Sequence, residues 1–498
     1  MVETRRRLGL RTCRLLEKND AYVFRFPKVT VILQMDYNVL SVWGAGGPNT
    51  LPLQLFTKRH QPKSTVVSFE NRILHQAKSE INLYYEEGRW DDYKKITNPY
   101  EYIFLSWNRR SSRSVAIRQP LSRSYFKMIE LWKHIDITKH LQPLVERDGG
   151  LLTAHAAEGP GGFIEACTVN SEKQAWKFVR ADAITLRSEA KNVPGWRKAS
   201  RFLSLFPQVN IHDGEDGTGN ILRVENQTAF VNTIREENET GVHLFTADGG
   251  FDFSNDYSAQ EDTVFPLLLA ECILGLQTLT KGGMMIIKCF DTTEQPTLDL
   301  LWLLSRAFCE WGIVKPRTSR AGNAERYFVG KGYLDDSVDI LRILLTYQEN
   351  ALFSQPILDP VSCDSWKPVI ASIASLQEQI DHLETHAIRE TLDLIKSTEA
   401  TTIQRLVREN VIRSIAWCRE HEEDITGCWI SDFERNVTKE TSELLSILNI
   451  STNTLTYTSS NFYSTTTSTL SFSGFRNGHI ASAPAANPFM RLKGTKPL

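Results

Sequence analysis

Between residues 120 and 335, apolar runs of strand length alternate with helical patterns, and this alternation restricts the chain more than any other feature. Strands are expected at 151–155, 179–184, 242–247, 283–289 and 325–329. The last should pair antiparallel with its neighbour. The fold class that follows is α/β, a sheet flanked by helices. A mixed N-terminal segment (1–110) precedes this domain (111–345). A helical appendage (350–450) and a weakly ordered Ser/Thr-rich tail (451–498) follow it. In the appendage Ile373, Leu376, Ile380, Leu383 and Ala387 fall at alternating spacings of three and four, an amphipathic seam. That seam suits packing on the core, with a dimer or partner seam as the alternative.

Bulk properties exclude several classes. The net charge of −2 over 498 residues leaves no overall basic coat, so a nucleic-acid site has to be a local patch. The longest apolar region, from Val264 to Phe290, is broken by Glu271 and Lys281-Gly282-Gly283. It reads as helix, turn and buried strand, not as a membrane span. Eight dispersed cysteines without a CxxC pair suggest free thiols in a reducing compartment. Cys418, His421 and Cys428 fall short of a structural zinc set, and no metal is expected.

Chemistry concentrates at strand ends. Glu158, Gly159, Pro160, Gly161, Gly162 and Phe163 follow the first strand and open a helix. Glycines there let the backbone approach a ligand, and the helix start offers free amides. The spacing matches neither a dinucleotide fingerprint nor a P-loop, so a plain tight turn stays open. Asp248 lies just past one apolar run, Lys288 closes a stronger one, and Glu325 opens the last strand. Lys127 sits on a helix ahead of the sheet. Ligands of open α/β sheets bind at the carboxyl ends of the strands, so these groups should share a crevice. Two lysines and two carboxylates suit deprotonation of a ribose 2′-hydroxyl. Burial and a neighbouring ammonium lower a lysine pKa and can leave a basic amine.

In order and context Lys127, Asp248, Lys288 and Glu325 resemble the K-D-K-E tetrad of FtsJ-like ribose 2′-O-methyltransferases. The likeness is carried also by "SRSYFKMIE", "HAAEGPGGFIEA", "ITLRSEAKNVPGW", "GEDGTGNILRVEN", "TADGGFDFS", "IIKCFD" and "KPRTSRAGNAERYFVGKGY". Within that superfamily the chain is most similar to mRNA cap 2′-O-methyltransferases of eukaryotes and large DNA viruses. The resemblance implies a Rossmann-like domain and S-adenosyl-L-methionine wrapped by the glycine turn, with Asp248 near both cofactor and reacting hydroxyl. It implies Lys288 as base or its nearest equivalent, positioned by Lys127 and Glu325. Asn220 stands where the family usually has an aspartate associated with the adenine. The implied activity is 2′-O-methylation of a cap-proximal nucleotide of mRNA. Ribosomal or transfer RNA is the alternative substrate, and a catalytically idle RNA-binding subunit the alternative role.

From Ile103 to Ile129 no acidic residue occurs, while Arg109, Arg110, Arg113, Arg118, Arg123 and Lys127 are basic. This one-sign segment is the expected phosphate track, with Arg109, Arg110, Arg113 and Arg123 as RNA contacts and Trp107 and Tyr125 as stacking rings. Capped mRNA is the expected partner, with other capping or transcription proteins as further candidates and no membrane. The cytoplasm, including a viral replication site, is the expected location, with the nucleus as alternative.

Overall fold

A computed structural model describes residues 17–18, 21–26, 29–36, 39–47, 69–85, 88–105, 114–188, 193, 195–250, 260–335, 337–358, 366–431 and 433–450. The Ser/Thr-rich tail expected at 451–498 lies outside the described residues.

Among the described residues eleven strands make one sheet. They are β1 (Glu17–Lys18), β2 (Ala21–Phe26), β3 (Val29–Asp36), β4 (Val39–Ala45), β5 (Leu151–Ala156), β6 (Phe178–Ile184), β7 (Val209–His212), β8 (Val242–Ala247), β9 (Leu279–Cys289), β10 (Phe308–Lys315) and β11 (Arg326–Tyr333). The spatial order is β1-β2-β3-β4-β10-β11-β9-β8-β5-β6-β7. From β7 to β9 all pairs are parallel, whereas β11 runs antiparallel between β9 and β10, and β4 runs antiparallel to β10. The chain leaves β5 toward β6 and returns on its other side at β8. The topological switch point therefore lies between β5 and β8, where α/β sheets open a crevice.

All five expected strands form, and two bounds differ for physical reasons. β9 starts four residues early because Lys281-Gly282-Gly283 does not interrupt the strand. A register irregularity toward β8 absorbs those residues, with Gly282 at φ +83°. β11 extends to Tyr333, paired with β10 as far as Tyr333 and with β9 as far as Lys331. β7 and β10 were not foreseen. In β10 the run "FCEWGIVK" carries a glutamate, yet Gly312 lies under Trp43 of β4 and Gly44 under Trp311, each glycine filled by its cross-strand tryptophan.

Fourteen helices are described. α1 (Phe69–Tyr85) and α2 (Arg89–Thr97) precede α3 (Ser124–His134) and α4 (Ile137–Asp148). Around the parallel strands come α5 (Gly162–Lys173), α6 (Ser200–Leu205), α7 (Val224–Glu237), α8 (Gln260–Thr278), α9 (Gln295–Ala307) and α10 (Val338–Glu349). α11 (Trp366–Lys396), α12 (Ala400–Glu420), α13 (Cys428–Ser431) and α14 (Phe433–Ile447) complete the helical C-terminal region. Strand β8 is buried along its whole length, as a parallel strand covered on both faces must be. No helix among the described residues is long and apolar enough to cross a membrane.

The C-terminal seam packs on the main core through Ile373, Leu376 and Ile380, which join its hydrophobic cluster. Each such burial contributes about 1.5–3 kcal/mol. Past Ile380 the buried stripe moves to Glu384 and Ile388, leaving Leu383 and Ala387 half-buried. A helix of 3.6 residues per turn drifts off a strict 3-4 pattern, which accounts for the change of face. α11 also meets the N-terminal helices: Thr97 Oγ1 lies 2.7 Å from Thr391 Oγ1, and Arg89 donates to the Ile395 carbonyl at 2.9 Å.

Candidate active site

β5 ends in the glycine turn. Gly161 adopts φ +103° and its amide donates to the Glu158 carbonyl at 2.7 Å, closing the turn ahead of α5. A Cβ on Gly159 would press on the Gly195 backbone at 2.8 Å, and one on Gly162 would strike Ser122 and the Tyr125 amide. Two of the three glycines are thus required by packing of the turn against neighbouring chain. α5 has no side-chain N-cap, which leaves its first-turn amides for a ligand group. Glu158 is buried and accepts from Thr246, with His155 Nδ1 at 3.2 Å. Burial raises the Glu158 pKa. Phe163 is fully buried and packs its ring 5.7 Å from that of Tyr327.

The four tetrad residues converge. Lys127, in the first turn of α3, bridges Glu325 at 2.7 and 2.8 Å. Lys288, one residue from the end of β9, donates to the Asp248 carbonyl at 2.8 Å and lies 3.3 Å from its Oδ1. Tyr327 joins the two pairs, donating to Asp248 Oδ1 at 2.8 Å and lying 3.2 Å from Glu325 Oε1. Ser124 donates to Asp248 Oδ2.

Electrostatics departs from expectation at Lys288. Burial depresses its pKa, but Asp248, Glu325 and Glu271 outweigh that and raise it above the ordinary lysine value. Carboxylates rather than ammonium groups dominate its surroundings, so the ligand-free site holds an ammonium there. Burial would likewise raise Glu325, yet Lys127, Lys288 and Lys315 hold it ionised, with a pKa of about 2. Glu271, fully enclosed in α8 beneath Gly249, is pushed far up by burial.

Tyr327, Ser124 and Glu271 were missed in the sequence. Tyr327 follows Glu325 by two residues, the period that keeps strand side chains on one face, and Ser124 precedes Lys127 by three on one helix face. Glu271, a lone acid inside the apolar run of α8, was noted only as an interruption.

The remaining predicted residues fare differently. Asn220 uses Oδ1 to accept from the Leu222 amide at 3.0 Å, ordering its loop after β7. Arg123 spends its charge on Glu101, 3.0 Å away. Glu101 pairs also with Arg320 at 2.9 Å, and these arginines overcome burial to hold its pKa at about 2. Tyr125 cannot stack on a base: it is fully buried, and its hydroxyl donates to Glu423 at 2.8 Å. Arg118 faces Glu165 and Glu423 at 4.0 and 3.7 Å. Trp107, Arg109, Arg110 and Arg113 lie outside the described residues. Among the described residues no cluster of three or more His, Cys, Asp or Glu could hold a metal ion.

Lysines and carboxylates gathered at the carboxyl edge beside a glycine turn belong, on this sheet order, to the Rossmann-type methyltransferases. Residues 120–333 match the family model described as FtsJ-like methyltransferase. A "Cap-specific mRNA (nucleoside-2'-O-)-methyltransferase 1" of Dictyostelium discoideum is 29% identical over 296 residues, 55% of this chain and 36% of that protein. The protein of the same name from Homo sapiens is 35% identical over 210 residues, 40% of this chain and 24% of that one. A "Cap-specific mRNA (nucleoside-2'-O-)-methyltransferase 2" of Drosophila melanogaster is 30% identical over 211 residues, 41% and 30% respectively. The matched part spans about a third or less of the length of these relatives.

Proposed function

We propose that this chain transfers a methyl group from S-adenosyl-L-methionine to the ribose 2′-hydroxyl of a cap-proximal nucleotide of mRNA. The observation that carries the reading is the meeting of Lys127, Asp248, Lys288 and Glu325 at one strand edge, next to an uncapped helix start. The relatives named for cap-specific methylation support the choice of substrate.

The residues present fit the cofactor. The turn from Gly159 to Gly162 would hold it, with the first amides of α5 free to receive an anionic group such as its carboxylate. The Asn220 loop, buttressed by Asn226 donating to the Asn220 carbonyl at 3.0 Å, would border the adenine. When bound, the cofactor supplies an activated sulfonium methyl, whose positive charge disfavours a second cation at Lys288. Asp248, held in turn by Tyr327, orients Lys288 toward the reacting hydroxyl, and Lys288, once it has released its own proton to bulk water, takes up the hydroxyl proton. Lys127 and Glu325 fix that arrangement from the other side. Catalysis then rests on alignment and electrostatics.

The test uses the full chain with labelled cofactor and matched capped and uncapped transcripts. Label confined to the 2′-oxygen of a cap-proximal nucleotide is expected. Equal labelling of both transcripts would overturn the cap-specific reading.

A further inference from the structure

Behind Glu325 lies a third lysine for which the chemistry above has no use. Lys315 closes β10 and is only 2% exposed. Its amine donates to the Asn323 carbonyl at 2.6 Å, to Asn323 Oδ1 at 3.1 Å and to the Glu325 carbonyl at 3.0 Å. All the donors a lysine owns are therefore directed at the end of one loop. Ser319 backs the same grip, donating to Asn323 Oδ1 at 3.0 Å with the Glu325 carbonyl 3.3 Å away.

The far side of the loop is fastened independently. Glu130 of α3 accepts from the Arg317 and Thr318 amides at 2.9 Å each, and Arg326 Nε donates to the Ala324 carbonyl at 2.8 Å. Between these anchors Lys315 and Ser319 both reach Asn323 and Glu325, and of the two only Lys315 brings an amine. An amine is an expensive group to bury for loop closure alone. Burial and the Arg326 guanidinium pull its pKa down to about 7, with Lys127 adding to that and Glu384 and Glu325 opposing it.

Resting on the methyl-transfer reading, we propose that Lys315 is a positioning residue for Glu325. It clamps the 316–325 loop so that the Glu325 carboxylate meets Lys127 and Tyr327 in one fixed orientation. Lys315 touches neither RNA nor cofactor in this role and acts through Glu325.

The experiment compares the full chain with Lys315→Met, which keeps the length of the side chain and removes its donors. The rate constant kcat on capped RNA should fall about 100-fold, while KM for RNA and Kd for S-adenosylhomocysteine stay within about threefold. Without any substrate, hydrogen exchange should speed up in the peptide spanning 316–325 and stay unchanged in β8 and β9. Should Lys315→Met fail to fold, Lys315→Gln, which retains donor capacity, serves the same comparison with a smaller loss. A kcat within about threefold of wild type in a folded variant overturns the proposal. So does unaltered exchange in 316–325. A wild-type chain that labels no capped RNA would instead sink the proposed function, and the exchange comparison would still decide Lys315.

Discussion

The two halves of the sheet build one crevice by opposite means. In the parallel half, Ala154, Phe245, Ile286 and Ile287 are fully buried, and Asp248 and Lys288 stand at the ends of apolar strands. The antiparallel half adds a buried ionic network to apolar packing by Phe308, Trp311, Ile313 and Phe328. Arg326, fully buried, donates to Gln377 at 2.6 Å and to Asp291 at 3.3 Å, while Lys78 pairs with Glu384 at 3.1 Å. Gln377 donates in turn to Asp381 at 2.6 Å. Apolar packing tolerates small adjustment, whereas a buried polar network works only when every member is present. Helix α11 supplies Gln377, Asp381 and Glu384 to this network. Beyond covering the core, it thereby takes part in holding the strand that follows Glu325.

Substitutions can break this contrast. The largest effect is expected from Lys288→Ala in the parallel half: single-turnover methylation of capped RNA should fall about 10²–10⁴-fold with the fold retained by circular dichroism. A rate near wild type would show that Lys288 is not the base. Next comes Arg326→Met in the antiparallel half. Removing one member of a buried charge network costs about 3–5 kcal/mol, read as a lower urea midpoint at neutral pH. A cost below about 1 kcal/mol would mean that the two halves are held alike.

Two smaller effects sharpen the comparison. Tyr327→Phe deletes the hydroxyl that ties Asp248 to Glu325, so kcat should drop about tenfold with stability lowered by roughly 1 kcal/mol. Acid titration of stability isolates Glu325. Its folded pKa of about 2 lies below its ordinary value of 4.5, so its contribution is complete above pH 4.5 and is lost as pH falls toward 2. Glu325→Gln should therefore flatten the decline of Tm across that window and leave the slope above it unchanged.

Much of the parallel half was legible because burial on both faces writes itself as unbroken apolar runs. Lys288 stood out for the same reason, being a charge at the tip of "MMII". β10 was hidden because its cover is a reciprocal Trp–Gly exchange with β4, a pattern visible only when the two strands are paired. The basic run from Arg109 to Lys127 shows the limit of counting charge along a chain. Arg123 looked available for phosphate, but its partner Glu101 lies 22 residues away, in a segment with no apparent chemistry.

What the sequence determined by itself is the alternation of five of the domain's strands with helices, a local periodicity, and the choice of Lys127, Asp248, Lys288 and Glu325, made from placement and family resemblance. Tertiary structure alone decided their charge states and supports. The Lys288 pKa lies above the ordinary lysine value, and not below it as expected from burial, because Asp248, Glu325 and Glu271, from separate elements, surround it. Glu325 keeps its place through contacts with α3, β10 and its own strand. Coulomb energy and hydrogen bonding depend on distance in space, and no linear spacing encodes that distance.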